Sequence, residues 1–168
     1  MAGHREDFIL MTVGALTLDP NTKTPIVVLK DPDNKINLPI WIGLLEAASM
    51  ATELEGIKPQ RPMTHDLLRN VLGELGGTVE AVEVTELRDN TYFAHIQVKT
   101  REGRTVQIDS RPSDALALAL RVDCPIFVED QVLKNSKVSS TLSEKNTSEE
   151  LRRWLENLSD EDLGRYKM

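Results

Sequence analysis

The chain has 168 residues, in which 20 Lys and Arg stand against 27 Asp and Glu, so its formal net charge is −7 at pH 7. With 40% hydrophobic and 28% charged residues, the composition is that of a globular protein and excludes a wholly disordered one. No apolar run approaches the roughly 18 residues that a membrane-spanning helix needs. The acidic balance also provides no overall positive field that would attract a nucleic-acid backbone.

Cysteine usage and the first residues of the chain both favour a cytoplasmic protein. The single cysteine, Cys124, excludes an internal disulfide and a zinc site made of cysteines alone. The polar start, Met1 to Asp7, is followed by a short and interrupted apolar stretch, without the apolar core and cleavage site of a signal peptide. We therefore expect a cytoplasmic location and no contact with a membrane.

The first half of the chain predicts three strands followed by two helices. Apolar runs separated by turns rich in Asp, Asn and Pro predict the strands, and helix formers fill the next segment. The second helix has Thr64 as its predicted cap, Asp66 in its first turn and Gly76 at its end. The predicted strands are Phe8 to Leu18, Pro25 to Leu29 and Ile36 to Ile42, and the predicted helices are Gly43 to Leu54 and Thr64 to Leu75.

The second half repeats this plan with three strands and a third helix. The predicted strands are Thr78 to Leu87, Thr91 to Lys99 and Arg104 to Asp109, and the helix is Pro112 to Arg121, followed by a strand at Ile126 to Val128 and a short helix at Glu129 to Lys134. From Ala115 to Leu120 the helix is apolar around its whole circumference, so we expect sheet to wrap it. The predicted class is α+β, with antiparallel or mixed strands around a buried central helix and an internal duplication of a β-β-β-α unit.

Composition divides the chain into a main domain, a linker and a tail. Residues 1–134 form the predicted domain, and residues 135–147, rich in Ser, Thr, Lys and Asn, form a polar linker. Residues 148–168 carry an amphipathic helix that Ser148 can cap, followed by a second capped turn. We expect this tail to pack through Trp154 on the domain or on a neighbouring subunit, as in a homodimer.

Two helix starts provide candidate chemistry. At the first, His65 and Asp66 fall in a turn whose free backbone N–H groups and dipole favour an anion, with Arg61 and Arg69 in reach. A histidine there can serve as an acid, a base or a metal ligand. The alternative is that Thr64 and Asp66 only cap the helix.

The second of these helix starts, Asp109 to Asp114, is the more informative one. Ser110 suits an N-cap, Pro112 fits the first turn and Asp114 complements the helix dipole. These roles leave Arg111 unexplained, because a cation at the positive end of a helix needs a carboxylate partner or an anionic ligand. A functional role and a purely structural one both stay open for this segment.

Two further carboxylates have structural alternatives of their own. Asp89 lies in a predicted hairpin turn, which needs such a residue. Glu46 lies one turn into the first helix, where it complements the dipole. The sequence has no Walker loop, no Gly-rich dinucleotide fingerprint, no nucleophile elbow and no zinc-binding helix motif.

Several separate blocks of the chain are similar to one known family. The blocks are Leu38 to Gly43 with Glu46-Ala47, Arg61-Pro62 with Thr64 to Leu68, Asp89 to Ala94, and Ile108 to Ala115 with Ala117 to Ala119. In order and spacing they resemble the bifunctional nuclease family of bacteria and plants, from about Phe8 to Leu133. The tail resembles the extension of some bacterial members. Tyr92-Phe93 stands where the family usually shows Phe-Tyr.

The resemblance implies a compact α+β domain and an enzyme that cleaves phosphodiester bonds of DNA and RNA. A nuclease must stabilise the charge that builds up on a pentavalent phosphate, commonly with a divalent metal, arginine or histidine. If the residues converge in space, we expect His65, Asp66, Arg111 and Asp114 in catalysis, Arg61, Arg69, Ser110 and Ser113 in substrate binding, and Glu46, Asp89 and Asp109 as ligands of Mg²⁺ or Mn²⁺. No organic cofactor is expected.

Charge and the candidate residues leave two classes of function. The net charge of −7 disfavours tight duplex binding and favours single-stranded or weakly bound nucleic acid as the partner of a nuclease. The alternative is a non-catalytic regulatory module in which Arg111 and the helix N-termini bind a small anion or a partner carboxylate, while Trp154 recruits another protein. A third account makes these blocks structural junctions that only fix the fold. Metal-dependent cleavage that a single substitution abolishes would distinguish the nuclease from the other two accounts.

Overall fold

The computed structural model describes residues 6–136 and 148–158, and the strands and helices predicted within these ranges are present. Their ends differ from the predicted ones by about one residue. The elements are β1 (Phe8–Leu18), β2 (Pro25–Lys30), β3 (Asn37–Trp41), α1 (Leu44–Leu54), α2 (Thr64–Glu74), β4 (Thr78–Arg88), β5 (Thr91–Lys99), β6 (Thr105–Ser110), α3 (Pro112–Val122), β7 (Ile126–Glu129), α4 (Asp130–Asn135) and α5 (Ser148–Asn157).

The strands form one mixed sheet in the order β3-β2-β1-β7-β4-β5-β6. In its middle, β7 pairs antiparallel with β1 and parallel with β4, and all other neighbours are antiparallel. Two three-stranded meanders therefore flank β7, and a helix follows each meander in the chain. This order has the symmetry that a duplicated β-β-β-α unit predicts, and the α+β class is confirmed.

The central helix is α3, and both sheet and helices bury it. Residues 115 to 119 are at most 2% exposed, and α3 contacts β4 and β5. It also contacts α1 and α2. The sequence predicted that sheet would wrap α3, and in the structure these two helices cover the rest of it. Three of the five residues are alanines, whose small side chains let neighbouring elements approach closely.

We expect Ala117→Val to lower the free energy of unfolding by about 1–3 kcal/mol, because added methyl groups strain a close-packed core. Ala117 has no exposed surface. Urea unfolding followed by circular dichroism measures the difference. Thr91→Val at the exposed start of β5 is the control and should stay within about 0.5 kcal/mol of wild type. An unchanged midpoint for Ala117→Val would mean that α3 is not the packed centre of the fold.

Two predicted helix caps are wrong. The N-cap of α2 is Met63 rather than Thr64, and that of α3 is Arg111 rather than Ser110. Ser110 is still part of β6, and its hydroxyl donates a hydrogen bond to the carbonyl oxygen of Arg111 at 2.9 Å. At α2 the capping function passes to Asp66, whose Oδ2 accepts a hydrogen bond from the backbone N–H of Met63 at 2.9 Å.

The helix of the tail, α5, contacts α1. Its residues Trp154 and Leu155 are half-buried and pack against the hydrophobic core. At the predicted end of the main domain, α4 continues to Asn135. Most of the predicted linker, from residue 137 to 147, and the tail beyond residue 158 lie outside the described residues. None of the described helices is both long enough and apolar enough to cross a membrane.

Candidate functional site

A cleft opens where α1, α2 and α3 meet. Its volume is about 230 Å³. The apolar part of its lining includes Leu45, Pro59 and Met63, and the polar part includes Glu46 and Ser49 of α1, His65 of α2, and Arg111 and Asp114 at the start of α3. We call it the Arg111 cleft, because the side chain of Arg111 links two of its elements.

Arg111 has the carboxylate partners that its position at a helix start requires. Its Nε donates to Oδ2 of Asp114 at 2.7 Å, and its Nη2 donates to Oδ1 of Asp114 at 3.0 Å. The same Nη2 donates to Oε1 of Glu46 on α1 at 2.8 Å. The side chain of Arg111 is nevertheless 65% exposed, so these bonds orient the guanidinium without removing it from solvent.

His65 lies behind this ion pair, with both ring nitrogens hydrogen-bonded. Its Nε2 lies 2.9 Å from Oδ1 of Asp114, and its Nδ1 lies 2.8 Å from Oγ of Ser49. A carboxylate can only accept, so in the neutral imidazole Nε2 carries the proton and donates it to Asp114. Nδ1 then has the free lone pair and accepts a hydrogen bond from the Ser49 hydroxyl. The side chain of His65 is only 11% exposed.

The carboxyl of Asp114 stays ionised because of its two partners. Burial alone would raise the pKa of Asp114, but the hydrogen bonds and positive charge of Arg111, together with the hydrogen bond from His65, outweigh burial and lower it. A permanent negative charge therefore lies between the guanidinium of Arg111 and the imidazole of His65.

Asp66, the residue after His65, makes contacts that hold α2 against α3. Its Oδ1 accepts from Nε of Arg121 on α3 at 2.7 Å, and its Oδ2 accepts from the N–H of Met63. The guanidinium of Arg121 also donates to the carbonyl oxygens of Ala117 and Ser49. Because both oxygens of Asp66 are used in holding α2 against α3, we assign Asp66 to positioning and not to catalysis.

The residues predicted to bind substrate do not all reach the Arg111 cleft. Arg61 is exposed in the loop before α2, two residues ahead of Met63 in the cleft wall. Arg69 is exposed on α2 and donates to Oδ1 of Asn70. Ser113 is 8% exposed in the first turn of α3, so it is covered by the fold and does not face a ligand.

The residues predicted to bind a metal are not brought together. Asp89 lies in the β4–β5 turn with φ of 50°, Asp109 lies on the exposed strand β6, and of the three only Glu46 lines the cleft. Across residues 6–136 and 148–158, no three His, Cys, Asp or Glu side chains are grouped so that they could hold a metal ion. Glu46 and Asp114 already accept from Arg111, so a resident Mg²⁺ or Mn²⁺ does not fit this donor set.

Two polar residues of this region, Ser49 and Arg121, were not predicted from the sequence. Ser49 follows Glu46 by three residues on α1, and Arg121 follows Asp114 by seven on α3. Side chains at these spacings lie on the same face of a helix. A polar residue that shares a face with a candidate site residue, on a helix otherwise rich in Ala and Leu, is the signal that would have found both.

The fold and the cleft define an α+β domain whose arginine, histidine and carboxylates meet where three helices join. The family model of the bifunctional nuclease domain matches residues 27–141. This range runs from β2 through α4 and includes the whole polar lining of the Arg111 cleft. The chain belongs to this family.

Three relatives share different amounts of the chain. An uncharacterized protein of Mycobacterium tuberculosis is 33% identical over 148 residues, which cover 83% of this chain and 88% of that protein. Bifunctional nuclease 1 of Oryza sativa subsp. indica is 27% identical over 113 residues, covering 66% of this chain and 34% of the rice protein. Bifunctional nuclease 1 of Arabidopsis thaliana is 26% identical over 127 residues, covering 69% and 39%. The match therefore spans less than half the length of either plant protein.

Proposed function

We propose that the protein is a nuclease that hydrolyses phosphodiester bonds in DNA, RNA or both, and that it acts on single-stranded or weakly bound nucleic acid. Its family and the name of its plant relatives support this class of activity. The observation that carries the proposal is the guanidinium of Arg111, which is oriented by two carboxylates and still 65% exposed beside a histidine.

Arg111 is the proposed phosphate-binding residue. Three of the five N–H groups of its guanidinium bind Asp114 and Glu46, and the two on Nη1 make no hydrogen bond to any part of the chain that the structure describes, so they can donate to phosphate oxygens. Because Glu46 and Asp114 hold the group in place before substrate arrives, little reorganisation is needed as charge develops on the phosphate. The exposed Arg61 and Arg69 add positive charge near the same end of α2.

His65 and Asp114 are the proposed proton-transfer pair. The Ser49 oxygen lies 2.8 Å from Nδ1 of His65 and marks a position that the oxygen of a water molecule can take when the hydroxyl moves aside. As that water attacks phosphorus, Nδ1 accepts its proton, and the carboxylate of Asp114 stabilises the resulting imidazolium. The bond from phosphorus to the leaving sugar oxygen breaks, that oxygen takes a proton from solvent water, and the imidazolium of His65 returns its proton to solvent.

Two further parts of the proposal concern the metal and the compartment. Because the donor set does not suit a resident ion, Mg²⁺ or Mn²⁺ is proposed only as a counter-ion that arrives with the substrate phosphate. We also propose a cytoplasmic location. It is supported by the cysteine usage, since Cys124 has no second cysteine with which to form an internal disulfide.

We expect Arg111→Lys to lower the cleavage rate roughly ten- to hundredfold, because the three donors of a lysine ammonium cannot replace the three bonds to Asp114 and Glu46 and also donate to phosphate, a loss of about 1.5–3 kcal/mol. The measurement is the turnover of single-stranded RNA and DNA with Mg²⁺ or Mn²⁺ and with EDTA. Arg88→Lys is the matched control, because Arg88 is similarly exposed but lies over the ring of Phe93, outside the cleft. Its rate should equal that of wild type.

Three outcomes would contradict the proposal at different points. Equal rates for wild type and Arg111→Lys, with equal thermal melts, would show that Arg111 does not bind the phosphate. Full activity in EDTA would show that cleavage does not need a divalent ion. No cleavage by wild type above that of a mock purification from cells without the protein would reject the nuclease and support the alternative, a module that binds anions or proteins without catalysis.

A further inference from the structure

One edge of the sheet, β6, lacks the features that usually prevent strands from associating. Its pairing with β5 is regular from Lys99–Thr105 to Ala94–Ser110, without a bulge, and it contains no proline or lysine. The opposite edge strand, β3, is protected by Pro39, and its central residues are buried. Long, regular and unprotected edges pair with other strands.

The face of β6 next to the helices is apolar and exposed. Val106 and Ile108 lie opposite Val98 and Ile96 of β5, so all four point to the same face of the sheet. The two β5 residues are buried, whereas Val106 and Ile108 are 38% and 41% exposed. The helical layer therefore ends at β5 and leaves the last strand uncovered.

Helix α2 carries a second set of exposed apolar side chains. Leu67, Val71 and Leu75 recur every four residues along α2, Leu68 lies beside them, and their exposed fractions run from 37% to 75%. The chain leaving α2 packs on the same face of the sheet, because a Cβ on Gly77 would lie 3.1 Å from Cγ1 of Val98. Exposed apolar surfaces of this kind mark protein-binding sites.

We infer that β6 pairs antiparallel with β6 of a second copy of this chain, about a two-fold axis at Gln107. In this register Val106 of one copy lies opposite Ile108 of the other, Gln107 lies opposite Gln107, and Thr105 lies opposite Asp109. Apolar residues then meet apolar residues on one face, and uncharged polar groups meet each other or a carboxylate on the other face. The inference does not depend on the proposed nuclease activity.

The pattern of β6 favours a second copy over other partners. An isologous interface requires that one strand complement itself, and the alternation of Thr, Val, Gln, Ile and Asp does so when centred on Gln107. A shift by one residue would place Val106 opposite Asp109 and turn the two apolar faces to opposite sides of the sheet. A nucleic-acid backbone is a poor match, because one face of β6 is apolar and the charged residue on its other face is the acidic Asp109.

The first test is the mass of the protein in solution. Analytical ultracentrifugation of wild type should give twice the 18.8 kDa of one chain, and Ile108→Lys should give the mass of one chain, because a lysine on an edge strand opposes pairing. Trp41→Lys is the matched control, since Trp41 is an exposed apolar residue on the opposite edge strand, and it should stay dimeric. A wild-type protein that is monomeric throughout the concentration range, or a dimer that survives Ile108→Lys, would overturn the inference.

A disulfide test fixes the register and does not depend on how well Ile108→Lys folds. In a Cys124→Ser background, Gln107→Cys should cross-link two chains under mild oxidation, because residues directly opposite each other have Cα atoms about 4.5–5.5 Å apart. Thr105→Cys is the control. In the same register it lies about 13 Å along the strands from its own copy, too far for a disulfide. Cross-linking of Thr105→Cys, or none of Gln107→Cys, would show that the strands do not pair in this way.

Discussion

Asp66→Ala is expected to lower the free energy of unfolding by about 3–5 kcal/mol, because it leaves a buried guanidinium without its counter-charge. The side chain of Arg121 is 2% exposed and that of Asp66 is 14% exposed. This ion pair joins α2 to α3, and Arg121 also binds the Ser49 carbonyl of α1. Its loss therefore loosens all three walls of the Arg111 cleft. Chemical denaturation of wild type and variant at pH 7 measures the difference.

The control is an ion pair of the same chemistry at the surface. Asp33 lies 3.6 Å from Lys35, and both side chains are largely exposed, so Asp33→Ala should cost no more than about 1 kcal/mol. If Asp66→Ala were as mild as Asp33→Ala, Arg121 would have found water or another partner. The Asp66–Arg121 pair would then not be what holds α2 in place.

The same ion pair should be sensitive to acid. Burial by itself would raise the pKa of Asp66, but the hydrogen bonds from the Met63 N–H and from Arg121 outweigh it and lower the pKa. A carboxyl whose pKa is lower in the folded state stabilises the fold above its unfolded pKa of about 3.9, and this stabilisation is lost as the pH falls through the folded value. The difference in stability between wild type and Asp66→Asn should therefore shrink when the pH is lowered below about 4.

His65→Gln is expected to lower the cleavage rate by about 10²- to 10⁴-fold, the usual contribution of a general base. Glutamine has nearly the same length and can donate to Asp114, so the ion pair of Asp114 with Arg111 stays in place. It cannot accept a proton at neutral pH, and the proposed transfer from water is lost. Steady-state rates on single-stranded RNA and DNA, with a thermal melt of each protein, measure the effect.

His95→Gln is the matched control for this substitution. His95 lies on β5 opposite Asp109 of β6, away from the Arg111 cleft, so its replacement should leave the rate unchanged. If His65→Gln cleaved as fast as wild type, His65 would only fix the orientation of Asp114. Another group, with Glu46 the first candidate, would then have to accept the proton.

Most of the fold could be predicted from the sequence because its elements carry strong local signals. The Asp- and Asn-rich turns separate the strands, and the fully apolar stretch of α3 is compatible only with a buried helix. The helix N-caps were harder to predict from the sequence, because the position of an N-cap depends on where the neighbouring strand ends. Ser110 has a good capping side chain, but β6 extends through it, and the cap moves to Arg111.

The Arg111 cleft was only partly predictable. Arg111 stood out because a cation at a helix start is locally unfavourable, and this local conflict predicted a carboxylate partner or an anionic ligand. The carboxylates are Asp114 and Glu46. Ser49 and Arg121 carry no such conflict, and their partners come from other helices. Only the folded chain brings them to His65 and Asp66.

Strand β6 ends at Ser110, directly before Arg111. The pairing of two β6 strands therefore fixes the distance between the two Arg111 residues. In the two-fold pairing about Gln107, each Arg111 lies four residues from the axis in opposite directions, which separates the two by about 26 Å along the strands at about 3.3 Å per residue. Both clefts then open on the same face of one continuous sheet. If the cleft binds nucleic acid as proposed, a flexible single strand that reaches across this distance would bind the second cleft intramolecularly, and its avidity would exceed the affinity of either cleft. Bivalent engagement of this kind would let an acidic protein hold a polyanion through two weak contacts.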